Sequence, residues 1–342
     1  MGGLSRVYLD YNATAPLRAE AREAMVAAMD VVGNPSSVHG EGRSAKALVE
    51  RARGQVAAAV GCKPQEVVFT SGATEAARVL AGFDSVEVQA TAHDALWAHH
   101  APGQAEPVVR AMGLANSETG VVTQPETGET LLLLDITQAV GRLPFSFAWS
   151  GADLAVMSAH KLGGPKGVGA LIVRQGVDIP ALSAGGGQEM GRRSGTENII
   201  GIAGFGAAVG AAQRDLEAGA WERVKKLRRI LENAIEESAP ATIFVGKSEE
   251  RLPNTSCFIT PGWKGETQVM AMDLAGFAIS AGSACSSGKV KASRVLAAMG
   301  FDEVEAQSAV RVSMGPATTE DEVLAFARAW AKQHEKFRAR AA

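Results

Sequence analysis

The stretch Leu154-Ala155-Val156-Met157-Ser158-Ala159-His160-Lys161, residues 154–161, joins four apolar residues to a polar turn. Similar apolar runs occur at 67–69, 131–134 and 170–173, and helix-period stretches lie between them. Strands of a parallel sheet are covered by helices on both faces, so they read as continuous apolar runs. The sequence therefore predicts an α/β fold built around a mostly parallel sheet.

The pattern of predicted helices and strands changes near Pro240. Apolar residues between 221 and 235 recur at helical spacing with Arg and Lys on the other face, which predicts a connecting helix. Short strand-like runs and further helices follow, beginning at 243–245. We therefore predict that a second domain begins near residue 240. The predicted ranges are 16–240 for a large domain and 1–15 with 241–342 for a small one.

The composition argues against several classes of function. The chain has 342 residues, is 46% hydrophobic and 21% charged, and carries a formal net charge of -3, so it lacks the clustered positive charge that nucleic acid requires. No apolar run reaches membrane-spanning length, and the first ten residues lack the apolar core of a signal peptide, which predicts a soluble, cytoplasmic protein that binds no membrane. Three scattered cysteines without a C-x-x-C pair indicate neither a disulfide framework nor a metal site.

A small, hydroxyl-rich turn, Thr70-Ser71-Gly72-Ala73-Thr74-Glu75, follows the apolar run 67–69 and opens a helix. Unpaired amides at a helix start, together with the positive end of the helix dipole, bind phosphate without a lysine. Ala73 and Thr74 are the candidates for this role. The alternative is an ordinary helix cap, which is the commoner use of such residues.

Asp135 comes directly after four leucines, at the carboxyl end of a predicted strand, where open parallel sheets bind their ligands. A carboxylate there could pair with the protonated nitrogen of a pyridine ring and help that ring act as an electron sink. Gln138, three residues on, could reach the same ligand. The alternative is that Asp135 caps the following helix.

Lys161 ends the 154–161 stretch and is the candidate for imine chemistry. A free lysine amine has a pKa of about 10.4 and is a poor nucleophile at neutral pH, so a site that uses one must desolvate it or place it beside other cations. Ser158 and His160 could hold a phosphate while Lys161 meets an aldehyde. Most lysines are solvated surface residues, and that alternative stays open.

Two further residues could take part in a reaction or in substrate binding. Cys285 lies among Gly, Ser and Ala in 280–288, so its thiol is expected to be exposed, and an electropositive setting would raise its thiolate fraction. Cys62 and Cys257 are expected to be packing residues. Arg311 is a charge inside an apolar, strand-like run, where it could bind a substrate carboxylate in bidentate fashion or form an internal salt bridge.

Taken in order, the motifs resemble those of the cysteine desulfurases of the class V aminotransferase group, which have the fold-type I pyridoxal-phosphate architecture. That resemblance implies a large domain with a mostly parallel, seven-stranded type of sheet flanked by helices, and a smaller α+β domain. It spans nearly the whole chain. The motifs are 8–16 (YLDYNATAP), 34–39 (NPSSVH), 70–75 (TSGATE), 116–120 (NSETG), 135–138 (DITQ), 158–161 (SAHK), 193–198 (RSGTEN) and 282–285 (GSAC).

The resemblance also implies a role for each candidate residue. Lys161 would hold pyridoxal 5'-phosphate as a Schiff base and move the α-proton, His93 would stack on the ring and transfer protons, and Cys285 would take sulfur from cysteine as a persulfide, releasing alanine. A homodimer and a sulfur-acceptor protein, such as a partner in iron–sulfur cluster assembly, are implied as well. Cofactor contacts are implied for Ala73, Thr74, Asp135, Gln138, Ser158, His160 and, across the dimer, Thr196; substrate contacts are implied for Arg311, Asn116, Asn34 and Asn12.

The sequence departs from the family pattern between His93 and Asp135. The passages 94–115 and 121–130 are shorter than usual, which predicts a reduced surface helix and a changed outer face beside intact chemistry. Other interpretations are a selenocysteine lyase or a small amino-acid transaminase of the same fold, or a non-catalytic scaffold. Transamination requires no thiol, so Cys285 favours the desulfurase.

Overall fold

The computed structural model describes residues 6–103, 108–126, 128–282 and 292–341. The chain divides into two compact units, which we call the sheet unit and the terminal unit. The predicted domain ranges assign the helix after residue 219 to the large domain, whereas this division assigns it to the terminal unit; the ranges stay a prediction. The sheet unit comprises Thr14–Ala115 and Thr123–Ala218, and the terminal unit comprises Met1–Ala13, Asn116–Val122 and Gly219–Ala342.

Strands and helices are distributed along the whole described chain. The strands are β1 (Val7–Tyr8), β2 (Val67–Thr70), β3 (Val86–Val88), β4 (Val109–Gly113), β5 (Leu131–Asp135), β6 (Leu154–Ser158), β7 (Gly169–Val173), β8 (Ile243–Phe244), β9 (Thr255–Ile259), β10 (Phe277–Ala278), β11 (Ser280–Ala281) and β12 (Ala309–Ser313). The α-helices are α1 (Ala19–Met29), α2 (Gly40–Val60), α3 (Ala73–Ala76), α4 (Asp94–Trp97), α5 (Ile199–Glu217), α6 (Ala220–Ser238), α7 (Gly265–Leu274), α8 (Arg294–Ala298), α9 (Glu303–Gln307) and α10 (Glu320–Ala341). The predicted connecting helix corresponds to α6.

A six-stranded sheet in the order β2-β7-β6-β5-β4-β3 forms the core of the sheet unit. Neighbours from β3 to β6 are parallel, and β7 runs antiparallel to both β6 and β2. Every residue of β6 and β7 is buried, as continuous apolar sequence predicts. The predicted α/β class with a parallel-rich sheet is confirmed. In the described residues this sheet has six strands, whereas the resemblance implies a seven-stranded type.

Three long helices pack together in the sheet unit, with α5 against both α1 and α2. A Cβ added to Gly206 of α5 would lie 2.7 Å from the Cα of Ala52 in α2, so glycine allows these two helices to approach closely. His39 caps the start of α2, since its ring accepts a hydrogen bond from the Gly42 amide, and Gly61, with a φ of 67°, caps its end. A local capping residue therefore marks each end of α2.

The passages that the sequence predicts to be short contain little helix. Between β3 and β4 the described residues form the four-residue helix α4, and between β4 and β5 they form no α-helix. Here Glu87 and Arg110 are exposed and form an ion pair at 3.2 Å, beside a groove of about 270 Å³. The outer face of β3 and β4 is therefore polar, unlike that of β6 and β7.

The terminal unit contains a four-stranded sheet in the order β11-β12-β9-β8 and the parallel pair β1-β10. The β1-β10 pair joins the start of the chain to its last third. Helices α6 and α10 pack together, and the fully buried Trp330 of α10 donates a hydrogen bond from Nε1 to Gln268 Oε1 at 3.0 Å. Among the described residues of the whole chain, no helix has the length and apolarity that crossing a membrane requires.

Candidate functional site

The turn 70–75, which we call the phosphate turn, follows β2 in the sheet unit. Ala73 and Thr74 begin α3, and the buried hydroxyl of Ser158 at the end of β6 accepts a hydrogen bond from the Ala73 amide at 2.8 Å. A Cβ added to Gly169 would lie 2.6 Å from the turn's Cα at position 72, so glycine allows β7 to start against the turn. Helix-start amides and a buried hydroxyl are thus brought together, as a phosphate site requires.

His160 and Lys161 follow Ser158 in a short 3₁₀ turn. His160 Nδ1 lies 3.2 Å from Thr14 Oγ1, which orients the ring. Burial, together with the positive charges of Lys161 and Lys166, lowers the pKa of His160 to about 4. The imidazole is therefore neutral at physiological pH, and it adds no positive charge beside the amine of Lys161.

Asp135 ends β5, the parallel neighbour of β6, so it lies at the same end of the sheet as Ser158. Its Oδ1 accepts a hydrogen bond from the Thr137 amide at 2.9 Å. The residues that follow Asp135 form turns and begin no helix before Phe147, so this contact stabilises a turn and is not the helix cap that the sequence left as an alternative. It fixes the direction of the carboxylate, which still carries a charge that can pair with a ring nitrogen.

Sequence reasoning missed Arg142, which is buried and connects two of the candidates. It donates a hydrogen bond to the side-chain oxygen of the buried Gln138, and its Nη2 donates to the carbonyl of Lys161 at 2.8 Å. The available signal was an arginine inside the otherwise apolar run 139–143. A guanidinium with such fixed donors holds the backbone of Lys161 in place relative to Gln138.

Thr196 is exposed on the loop 174–198, which connects β7 to α5. This loop is joined to the phosphate turn, because Arg193 Nε donates to Glu75 Oε1 at 3.0 Å. At its other end Asn198 caps α5 by accepting a hydrogen bond from the Gly201 amide. The loop is therefore fixed on both sides of Thr196, whose predicted contact with the partner subunit's cofactor stays a prediction.

His93 stands directly before α4 and is exposed. Its Nδ1 accepts a hydrogen bond from the Ala95 amide at 3.1 Å. Because an accepting nitrogen carries no proton, a neutral His93 ring holds its proton on Nε2. The helix cap thereby selects the tautomer of a residue predicted to transfer protons, while its stacking on a cofactor ring stays a prediction.

In the terminal unit, Arg311 lies buried on β12. Its Nη2 donates to Asp10 Oδ1 at 2.8 Å, and its Nη1 donates to the Ser117 carbonyl at 3.0 Å. The internal salt bridge, one of the two predicted alternatives, is therefore present. Its Nε is buried without a hydrogen-bond partner among the described residues, so the guanidinium keeps a donor for a further acceptor.

The three asparagines predicted to contact substrate have contacts of their own. Asn12 is fully buried, and its amide donates to the Ser117 carbonyl at 3.1 Å. The side-chain oxygen of Asn116 accepts from the Thr119 amide, which closes the same loop. Asn34 is exposed and belongs to the sheet unit. Asn12 has no exposed surface, and its hydrogen bonds to the Ser117 carbonyl and to Thr255 Oγ1 hold this loop; its contact with substrate stays a prediction.

Cys285 lies outside the described residues, and the other two cysteines are poor nucleophiles. Burial is the largest cause that raises the pKa of Cys62 and of Cys257 to about 12, and the carboxylates of Glu66 and Glu118 add to the respective shifts. Neither thiol forms appreciable thiolate at neutral pH. Cys285 is therefore the remaining candidate for sulfur chemistry.

The residues of the sheet unit fit a phosphorylated pyridine aldehyde. Helix-start amides, the Ser158 hydroxyl and neutral His160 suit a phosphate, the amine of Lys161 suits an aldehyde, and Asp135 suits a protonated ring nitrogen. The described residues contain no group of His, Cys, Asp or Glu that could hold a metal ion.

Comparisons with known proteins establish the family. The model of the family described as Aminotransferase class-V matches residues 7–93 and 105–326. The chain belongs to the class-V aminotransferase family. A cysteine desulfurase of Frankia sp. (strain EuIK1) is 38% identical to it over 93% of this chain and 88% of that protein, and one of Cereibacter sphaeroides is 36% identical over 94% and 93%. The X-ray structure of a NifS-like protein from Rickettsia africae ESF-5 has a TM-score of 0.88 at 30% identity, covering 96% of this chain and 99% of that chain.

The family resemblance predicted from the eight motifs is thereby confirmed. This class-V aminotransferase departs from the family model at residues 94–104, which the match leaves out. They lie in the passage between β3 and β4 that the sequence predicts to be short. The phosphate turn and Lys161 lie inside the matched ranges.

Proposed function

We propose that this class-V aminotransferase is a pyridoxal-phosphate-dependent cysteine desulfurase, which converts cysteine to alanine and receives the sulfur on Cys285 as a persulfide. The observation that carries the proposal is the position of Lys161, beside neutral His160 and directly after the strand whose end bears Ser158. Asp135 ends the neighbouring parallel strand. The similar proteins named cysteine desulfurase support cysteine as the substrate.

Pyridoxal phosphate, when bound, supplies an electron sink for charge that develops at the α-carbon of an amino acid. Lys161 Nζ holds the cofactor and then takes and returns the α-proton, and Asp135 stabilises a protonated ring nitrogen. Arg142 keeps the Lys161 backbone fixed during these transfers. The remaining contacts are Ala73, Thr74, Ser158 and His160 with Thr196 of the partner subunit for the phosphate, and His93 and Gln138 for the ring.

Arg311 binds the carboxylate of cysteine through the donor that its salt bridge with Asp10 leaves available, and Asn34 and Asn116 assist. The Cys285 thiolate attacks the substrate sulfur, so that a sulfur–sulfur bond forms while the carbon–sulfur bond breaks and its electron pair stays with the carbon skeleton. Protonation of that skeleton gives alanine. We also propose that the enzyme works as a cytoplasmic homodimer that passes persulfide sulfur to an acceptor protein, as iron–sulfur cluster assembly requires.

Substitution at Cys285 tests this proposal. Cys285→Ser should keep the visible absorbance of bound pyridoxal phosphate but lose alanine production from cysteine, because the sulfur no longer has an attacking thiol. Cys62→Ser is the matched control, since its thiol is protonated at neutral pH, and it should retain activity. Absorbance titration and alanine assay measure the two properties. Undiminished alanine production by Cys285→Ser would point to a lyase instead, and failure of the wild type to bind the cofactor would refute the enzyme.

A further inference from the structure

A buried ion pair holds the loop that carries Thr196. Arg53 of α2 and Glu189 form two hydrogen bonds of 2.8 Å, from Nη1 to Oε2 and from Nη2 to Oε1, and their side chains are 7% and 2% exposed. Burial alone would lower the pKa of Arg53, but its contacts with Glu189 outweigh burial and raise the pKa. The guanidinium therefore stays charged and clamps the carboxylate in one orientation.

The backbone at this pair is strained. Glu189 has a φ of 50° and Met190 a φ of 59°, and in the described residues they are the two residues other than glycine with positive φ. The same loop uses glycine for positive φ at Gly187 and Gly191. A strained conformation of this kind persists where the surroundings impose it. Since glycine would relieve the strain at 189, the glutamate side chain itself must be what the position requires.

Two carboxylates join the loop to this region: Glu75 joins it to the phosphate turn, and Glu189 joins it to the strand that leads into the turn. Glu189 Oε2 accepts from the amide of Phe69, in the strand that runs into the turn, at 2.8 Å. Glu75 of the turn accepts from Arg193 of the loop at 3.0 Å and from the Ser71 amide at 2.6 Å. Burial would raise the pKa of Glu75, but these hydrogen bonds outweigh burial and lower the pKa. Glu75 is therefore ionised while it joins the two segments.

We propose that Glu189 and Glu75 are positioning residues that couple the two cofactor sites of the homodimer. Each carboxylate holds the phosphate turn of its own subunit and also the loop whose Thr196 serves the partner subunit. This inference rests on the proposed function, which supplies the cofactor and the role of Thr196 across the dimer. Both carboxylates act through the loop and through one backbone amide, that of Phe69 just before the turn for Glu189 and that of Ser71 within the turn for Glu75.

Hybrid dimers with a single competent site test the coupling. One protomer carries Lys161→Ala, so that cofactor attachment is confined to the other protomer. Thr196→Ala should weaken that attachment only when it is placed on the Lys161→Ala protomer, which lends its loop to the competent site. Glu189→Gln should weaken it in either placement, because the residue supports both its own turn and the loop lent to the partner. We expect a roughly 10-fold or greater loss of cofactor affinity by absorbance titration, as is usual when a group that orients a binding residue is removed.

Two further variants complete the design. Glu75→Gln should behave like Glu189→Gln and stands in for it if the buried variant does not fold. Glu50→Gln is the matched control, because Glu50 also contacts Arg53, at 3.2 Å, but is half exposed and, among the described residues, forms no hydrogen bond to the turn or the loop. Its hybrids should bind cofactor as the parent hybrids do.

Several results would overturn the coupling: a loss confined to one placement for both carboxylate variants, unchanged affinity in both placements, or a chain that forms no dimer. A wild type that binds pyridoxal phosphate but makes no alanine would refute the desulfurase proposal alone, since the affinity measurement still tests the coupling. A wild type that binds no cofactor would refute both.

Discussion

The two sides of the six-stranded sheet differ in how they are covered. On one side, which we call the covered side, every residue of β6 and β7 and the three central residues of β5 are buried. On the other side, which we call the open side, β3 and β4 expose Glu87 and Arg110. Asp135 and Ser158 end the strands of the covered side, where packing on both faces fixes the strand ends. His93 is the exception, because it follows β3 on the open side, and a helix cap orients it instead. The candidate chemistry therefore depends on the covered side, and the open side tolerates a polar surface.

The strongest test of this difference uses two residues that are cross-strand partners. Leu134 of β5 pairs in register with Met112 of β4, yet Leu134 is fully buried and Met112 is partly exposed. Leu134→Ala should lower the free energy of unfolding by about 3 kcal/mol, because it removes buried apolar surface and leaves a cavity. Met112→Ala should cost about 1 kcal/mol or less, since its neighbourhood is already open to water. Urea denaturation measures both; equal losses would mean that the two sides are equally packed.

The second test uses pH, because the covered side desolvates His160. Its pKa is lowered to about 4 in the folded chain, whereas an unfolded histidine has a pKa of about 6.5. Between these values the unfolded chain binds a proton that the folded chain does not, so stability falls as pH decreases from about 6.5 to about 4. His160→Gln removes this contribution, and the variant should lose less stability over that range than the wild type.

Urea midpoints at pH 7, 6, 5 and 4 measure the difference between wild type and His160→Gln, and NMR titration of the ring measures the pKa directly. Inorganic phosphate, which would bring negative charge to the ring, should raise that pKa. A ring that titrates near 6.5 without phosphate would show that the turn is solvated and would weaken the distinction between the two sides.

The same contrast explains which strands the sequence could predict. The apolar runs at 67–69, 131–134 and 170–173 become β2, β5 and β7, because strands buried on both faces leave a continuous apolar signature. β3 and β4 carry a charged residue at their second position and so lack that signature. Their place in the sheet depends on pairing with neighbours, which no short sequence window contains.

The site shows a similar limit. Ser158, Lys161 and Asp135 could be proposed as candidates because each lies at or after the end of an apolar strand, and the ends of parallel strands meet at one edge of a sheet. The residues that hold these candidates in place could not be predicted. Arg53 and Glu189 lie 136 residues apart, and Arg311 and Asp10 lie 301 apart, so only the fold brings them together. For Arg311 the residues allowed both a salt bridge and a ligand contact; the salt bridge could be identified only from the position of Asp10, and the ligand contact stays a prediction.

The smallest expected effect concerns the exposed ion pair of the open side. Glu87 and Arg110 are each about half exposed, so water and salt screen their attraction, and a double-mutant cycle of Glu87→Ala and Arg110→Ala should give a coupling below about 1 kcal/mol. The buried pair is the contrast, since Glu189→Gln leaves Arg53 buried without its charged partner and should cost about 3–5 kcal/mol. Alanine production should be unchanged in the exposed-pair variants. The coupling energy could instead equal the stability lost in Glu189→Gln and persist in 1 M salt. That result would mean that the outer face of β3 and β4 is shielded from water in solution. The polar surface of the open side would then have to be explained by whatever covers it.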